Sequence, residues 1–202
     1  MPIELMKNYY RKNTSNSYVH MTMALHCAPF LKGIKDSALL VLKADDAKLM
    51  GRTLCKMNAK CKTMYRYGDK IILLIYREKG MKKLLRKRKV RKFLAHYGYE
   101  DAYQLGEEKF LHEILEHLKQ RFEKAYGKSK EFPHEIGVFL GYPMEDVVGF
   151  IENDGRNSLM TGYWKVYSNK ERAIQIFNDY DKARESAIYE VLEGKKFYEI
   201  AV

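Results

Sequence analysis

Two short segments hold the residue types that carry chemistry. His26-Cys27 lies just before Pro29, and His134-Glu135 directly follows Pro133. The prolines fix the local backbone at both places. Together the segments offer two imidazoles, a thiol and a carboxylate. That set can hold a metal, or pair a thiolate with a base. The second pair opens the most distinctive stretch of the chain, Phe132 to Tyr167, FPHEIGVFLGYPMEDVVGFIENDGRNSLMTGYWKVY. It contains two Pro, five Gly and the only Trp, and such a cluster of glycine, proline, histidine and aromatic residues suits a pocket wall. If the two segments fold against each other, His26, Cys27, His134, Glu135, Tyr142 and Trp164 line that pocket. The leading expectation is therefore an accessory protein that binds a small molecule or a protein partner. An enzyme with Cys27 as nucleophile is the alternative. No motif names a cofactor.

Other clusters carry less. His112 and His117 in HEILEH resemble a zinc motif, but five residues turn a helix by about 140°, so the two rings cannot share one ion. Cys55 and Cys61 have the wrong separation for a zinc knuckle or a redox pair. No phosphate-binding loop, dinucleotide fingerprint or nucleophile elbow is present, which argues against those enzyme classes.

The formal charge is +11, yet residues 82–92, KKLLRKRKVRK, carry eight Lys or Arg and no acid. Without them the balance is 11 − 8 = +3. The charge thus belongs to one segment, expected as the exposed face of a helix over Met81 to Tyr97. Lys83, Arg86, Lys87, Arg88 and Arg91 would grip nucleic acid or an anionic surface there. The run has no aromatic residue for base stacking, so a solvated helix face is the plainer reading. The longest apolar run, Ile71 to Tyr76, is six residues, far below the roughly 20 of a spanning helix. Three cysteines without paired spacing, and an N-terminus without an apolar leader, suit a reducing cytoplasm.

The elements that must position these groups follow from periodicity. Residues 1–17 are polar and are expected as a flexible arm, with residues 18–202 as one domain. Tyr18 to Cys27 forms a short helix that Pro29 stops. Ser37 to Lys43 is a buried strand, and Asp45 or Asp46 caps a helix reaching Met57. Cys61 to Tyr67 and Lys70 to Arg77 make a hairpin about Gly68-Asp69. Glu107 to Tyr126 is the cleanest helix. Pro133 and Pro143 each start a short helix, Gly162 to Tyr167 is a strand, and Ser168 with Glu171 is a capping box for the last long helix. The class is α+β: a small, mostly antiparallel sheet of three to four strands with five to six helices.

Ile136 to Phe150 also matches the spacing of a helix-turn-helix, with Gly141 at the turn and Gly137 at the close approach of the two helices. Its second helix would present Met144, Glu145, Asp146 and Glu152, and carboxylates repel phosphate. The pair is better read as two helices packed on the core.

The stretch FPHEIGVFLGYPMEDVVGFIENDGRN with GYWKVY, and HCAPFLKGIK at His26 to Lys35, resembles the two signatures of an uncharacterised bacterial family, a domain of unknown function. The resemblance spans the chain from about His26 onward and implies a shared fold and shared site positions. It implies no activity. Relatives often carry further cysteines near GYWKVY and in the last helix, where this chain has Ser158, Leu159, Met160, Tyr163 and Ala183. That departure argues against a cysteine-based metal or redox role here.

Overall fold

The computed structural model of the chain describes Tyr9 and residues 15–129 and 132–202. Helix α1 (Ser15–Leu31) is longer than the expected Tyr18–Cys27 segment, and Pro29 lies inside its last turn. A proline here removes the bond to the Leu25 carbonyl and sets its ring against that carbonyl, so the helix stops within a turn. The Pro29 carbonyl accepts the amides of Ile34 at 2.8 Å and Lys35 at 3.0 Å, closing the helix end. Residues 15–17 of the expected arm are thus helical. Residues 1–8 and 10–14 of that arm lie outside the described residues.

Strand β1 (Ser37–Lys43) matches its expected bounds. Helix α2 (Ala44–Leu54) follows, with Lys43 rather than an aspartate at the N-cap position. Asp45 and Asp46 sit in its first turn, where their charge suits the positive end of the helix dipole. Strands β2 (Lys60–Tyr67) and β3 (Lys70–Tyr76) form the expected hairpin. Gly68 supplies the left-handed turn conformation, φ +54°. β1 pairs antiparallel with the other side of β3, giving the order β1-β3-β2.

β3 is buried from Ile71 to Tyr76, and its side chains alternate between two cores. Ile71, Leu73 and Ile75 face a core shared with α1 and the C-terminal helices. Ile72, Leu74 and Tyr76 face the other, which receives the central helices.

The basic segment departs from expectation. It forms two helices, α3 (Glu78–Leu85) and α4 (Arg88–Ala95), with Lys87 extended between them. The reason is apolar spacing. Leu85 and Val90 are both buried, and five residues along one helix would point them about 140° apart. A break lets both reach the core. Helix α5 (Glu107–Lys124) buries Leu111, Ile114, Leu115, Leu118 and Phe122, the expected stripe.

Helices α6 (Ile136–Phe139) and α7 (Met144–Glu152) follow, joined through Gly141 at φ +72°. The expected strand at 162–167 is instead a minimal hairpin, β4 (Met160–Thr161) with β5 (Lys165–Val166), turning through Gly162 to Trp164. Helix α8 (Lys170–Leu192) is capped by Asn169, which accepts the Arg172 amide at 2.9 Å. The expected Ser168–Glu171 box does not form, because Asp146 takes both polar groups of Ser168. Helix α9 (Phe197–Ile200) ends the chain's regular structure. The class is α+β. Among the described residues there are nine α-helices rather than five or six, since the basic segment splits and short helices add to the count.

Candidate functional site

Gly137 sets the base of the site. A Cβ there would meet Val147 Cγ2 at 2.9 Å and Tyr142 Cδ2 at 3.3 Å, so only glycine lets α6 lie this close to α7. Gly162 does the same for the β4–β5 turn, where a Cβ would strike the Phe177 ring at 2.2 Å. These approaches leave a hollow of about 340 Å³ walled by Phe132, His134, Tyr142, Phe150, Trp164 and Lys165, with Gly137 and Val147 beneath.

The walls are largely aromatic. Tyr142 stacks on Trp164 with ring centres 5.2 Å apart and planes 27° apart. Phe177 meets the other side of the indole edge-on at 4.5 Å. The exposed His134 ring lies 5.4 Å from Phe132 and 4.9 Å from Phe150. Lys165 donates from Nζ to the Gly155 carbonyl at 2.6 Å and lies 5.9 Å from the Phe150 ring centre.

Asp146 fixes this wall. Its carboxylate is 3% exposed. Oδ2 accepts the Trp164 indole N–H, and Oδ1 accepts the Tyr167 amide, the Ser168 amide and the Ser168 hydroxyl. Four donors satisfy a carboxylate taken out of water, which is what its burial demands. Nothing in the spacing of Asp146 signalled this role. An acid three residues after Pro143 reads as an ordinary first-turn acid.

Glu135 was expected to line the pocket with His134. The structure separates them. His134 faces the hollow, while Glu135 is 0% exposed and accepts from the Arg121 guanidinium and from the Tyr99 hydroxyl at 3.2 Å. Burial, reinforced by the Glu135 charge, pushes the Tyr99 phenol well above its ordinary value. Glu135 therefore ties the start of α6 to α5 and to the segment after α4.

His26 and Cys27 do not line this hollow. Both stand inside α1, and neighbours on a helix point about 100° apart. His26 is exposed and Cys27 is fully buried in the α1–α8 core. Burial pushes the Cys27 thiol up to about 12, which works against thiolate chemistry at neutral pH.

The basic residues spread over α3, α4 and their link. Lys83, Arg86, Lys87, Arg88 and Arg91 are exposed. Arg86 pairs with Glu107 at 2.6 Å and covers the Phe110 ring at 5.0 Å, and Arg91 covers Tyr103 at 5.0 Å. Part of the charge is thereby engaged within the molecule. Among the described residues no group of three His, Cys, Asp or Glu side chains is placed to hold a metal. His117 instead bonds the Tyr97 carbonyl at 2.9 Å. No helix among the described residues is long and apolar enough to cross a membrane.

Fold and site together define an α+β protein with an aromatic-walled hollow braced by two buried carboxylates. Residues 23–201 match the model of the family described as "Protein of unknown function (DUF3793)". The chain belongs to that family. No curated protein and no solved structure matches it.

Proposed function

We propose that this chain is a cytoplasmic ligand-binding protein whose site is the hollow within residues 132–167. The observation that carries the reading is the wall itself: Tyr142 and Trp164 stacked, Phe150 beside His134, and the indole held by Asp146. Such a wall suits a flat, largely apolar ligand, and His134 with Lys165 suits an acidic substituent on it. Sites of this kind are apolar with a few placed polar groups, and much of the binding energy comes from fixed aromatic surfaces. The three thiols, all free, agree with a reducing compartment.

Anilinonaphthalene sulfonate has the proposed shape and charge, and Trp164, as the only tryptophan, reports its arrival by energy transfer. One saturable site is expected. Phe150→Ala and His134→Ala are each expected to weaken binding by about fivefold, roughly 1 kcal/mol, with the melting temperature little changed. Binding that is unaltered in both variants, or that rises without saturation, rejects the reading.

A further inference from the structure

A second hollow, of about 280 Å³, shares no lining residue with the first. Lys35, Asp36, Lys83, Lys87, Gly141 and Tyr180 are among its walls. Lys35 is its unusual member. The ammonium lies 5.1 Å from the Tyr142 ring centre and 5.7 Å from that of Tyr180. Among the described residues no carboxylate forms an ion pair with it. Ring faces offset part of the cost of a half-buried cation, but they offer its ammonium no lone-pair acceptor.

The backbone fixes the root of this side chain, and the two rings place its head. The Lys35 amide donates to the Pro29 carbonyl at 3.0 Å. Its carbonyl accepts from Arg77 at 3.2 Å, and the same guanidinium donates to the carbonyls of Phe30 at 2.8 Å and Val202 at 2.9 Å. Lys83 and Lys87 bring two more cations to the same hollow, against the single carboxylate of Asp36. The cavity therefore carries three lysines against one carboxylate, and one of them is a half-buried ammonium with no ion-pair partner among the described residues.

We infer that this hollow binds a small oxyanion, the carboxylate or phosphate group of a metabolite, with Lys35 Nζ as its ion-pair partner. The two hollows share no lining residue, although Tyr142, a wall of the first, also carries the Lys35 ammonium on its ring. Burial holds Lys35 below the usual lysine range, at about 8, with the Cys27 thiol pulling weakly the other way. An anion needs the ammonium form, so affinity is lost as pH rises through that value. The titratable and charged groups around Lys35 are Cys27 from α1, Tyr142, Tyr180 from α8 and the Arg77 guanidinium on its carbonyl, with Asp36, Lys83 and Lys87 lining the same hollow. Burial pushes the thiol and the Tyr180 phenol up to about 12 and raises the Tyr142 phenol, so these three stay neutral over the range tested.

The test is calorimetric titration of the full chain with acetate and, separately, with inorganic phosphate at low ionic strength. At least one probe is expected to bind at pH 7, and the stronger one identifies the headgroup. Lys35→Met is expected to lose about tenfold in affinity, and the wild type a similar factor for acetate between pH 7 and about pH 9.5. Lys83→Met with Lys87→Met, at exposed positions, is expected to lose about threefold. If Lys35→Met does not fold, the pH series and the double variant decide. Absence of binding by both probes overturns the inference, as does affinity indifferent to pH and to these lysines.

Discussion

Trp164 donates its indole N–H to Asp146 Oδ2 at 2.7 Å, while Oδ1 gathers the amides of Tyr167 at 2.8 Å and Ser168 at 2.9 Å and the Ser168 hydroxyl at 2.8 Å. One side chain in the first turn of α7 thus fastens the β4–β5 hairpin and the start of α8. Asp146→Asn keeps the shape but replaces one acceptor oxygen with a donor. Chemical denaturation is expected to show a loss of about 2–3 kcal/mol, the range for a buried group left with a mismatched partner. Trp164 emission should shift to the red as the indole loosens. A stability change below about 0.5 kcal/mol would mean the carboxylate is dispensable.

Glu135 gives a graded test. Arg121 and Tyr99 both donate to its buried carboxylate. Breaking a buried ion pair from one side costs about 3–5 kcal/mol, whereas losing one hydroxyl donor to the carboxylate costs about 1.5–3. Denaturation is expected to rank Glu135→Gln above Tyr99→Phe. The double variant should cost less than the sum, since both changes remove the same contact. Additive costs would show that Tyr99 and Glu135 act separately.

Thiol reactivity should run opposite to a cysteine-enzyme reading. Cys27 is buried and its thiol is pushed up to about 12 by desolvation, while Cys55 and Cys61 are exposed. With iodoacetamide at neutral pH, peptide mass spectrometry is expected to find Cys55 and Cys61 alkylated before Cys27, with Cys61 slowed because burial and the nearby Cys55 raise its thiol. Cys27 should react only when the chain is unfolded. Early labelling of Cys27 in the native protein would contradict its placement.

Acid should expose a link between α1 and α8. The hydrogen bond from Lys32 holds the Glu190 carboxyl at about 2, below its ordinary 4.5, with burial opposing and Lys195 and Ser186 assisting. The folded state thus favours the charged form. That stability is fully present above the ordinary value and disappears as pH falls from about 4.5 toward about 2. Melting curves across this window should fall more steeply for the wild type than for Lys32→Met. Parallel curves would show that the ion pair does not contribute.

Elements set by local chemistry were readable from the residues. β1 and β3 announce themselves as apolar runs, the β2–β3 hairpin by Gly68-Asp69, and α5 by its stripe. Gly141, Pro143, His134, Tyr142 and Trp164 likewise marked the hollow by clustering. What escaped depends on distant partners. The break at Lys87 follows from which side chains reach the core, and the lost Ser168 cap from a carboxylate 22 positions earlier. Lys35 looks like a solubilising loop lysine until Tyr142 and Tyr180, more than a hundred residues away, place their rings over it. Nothing in the spacing of His26 and Cys27 shows which face of α1 meets the core, and that packing turns Cys27 inward and His26 to solvent.

The alternation along β3 bears on how this protein can be handled. A trimmed version that keeps the two hollows but discards α1 would leave Ile71, Leu73 and Ile75 bare along a sheet with open edges. Greasy strands of that kind stick to one another. The two hollows therefore cannot be excised without α1, and attempts to shorten the chain should yield precipitate rather than a smaller folded protein.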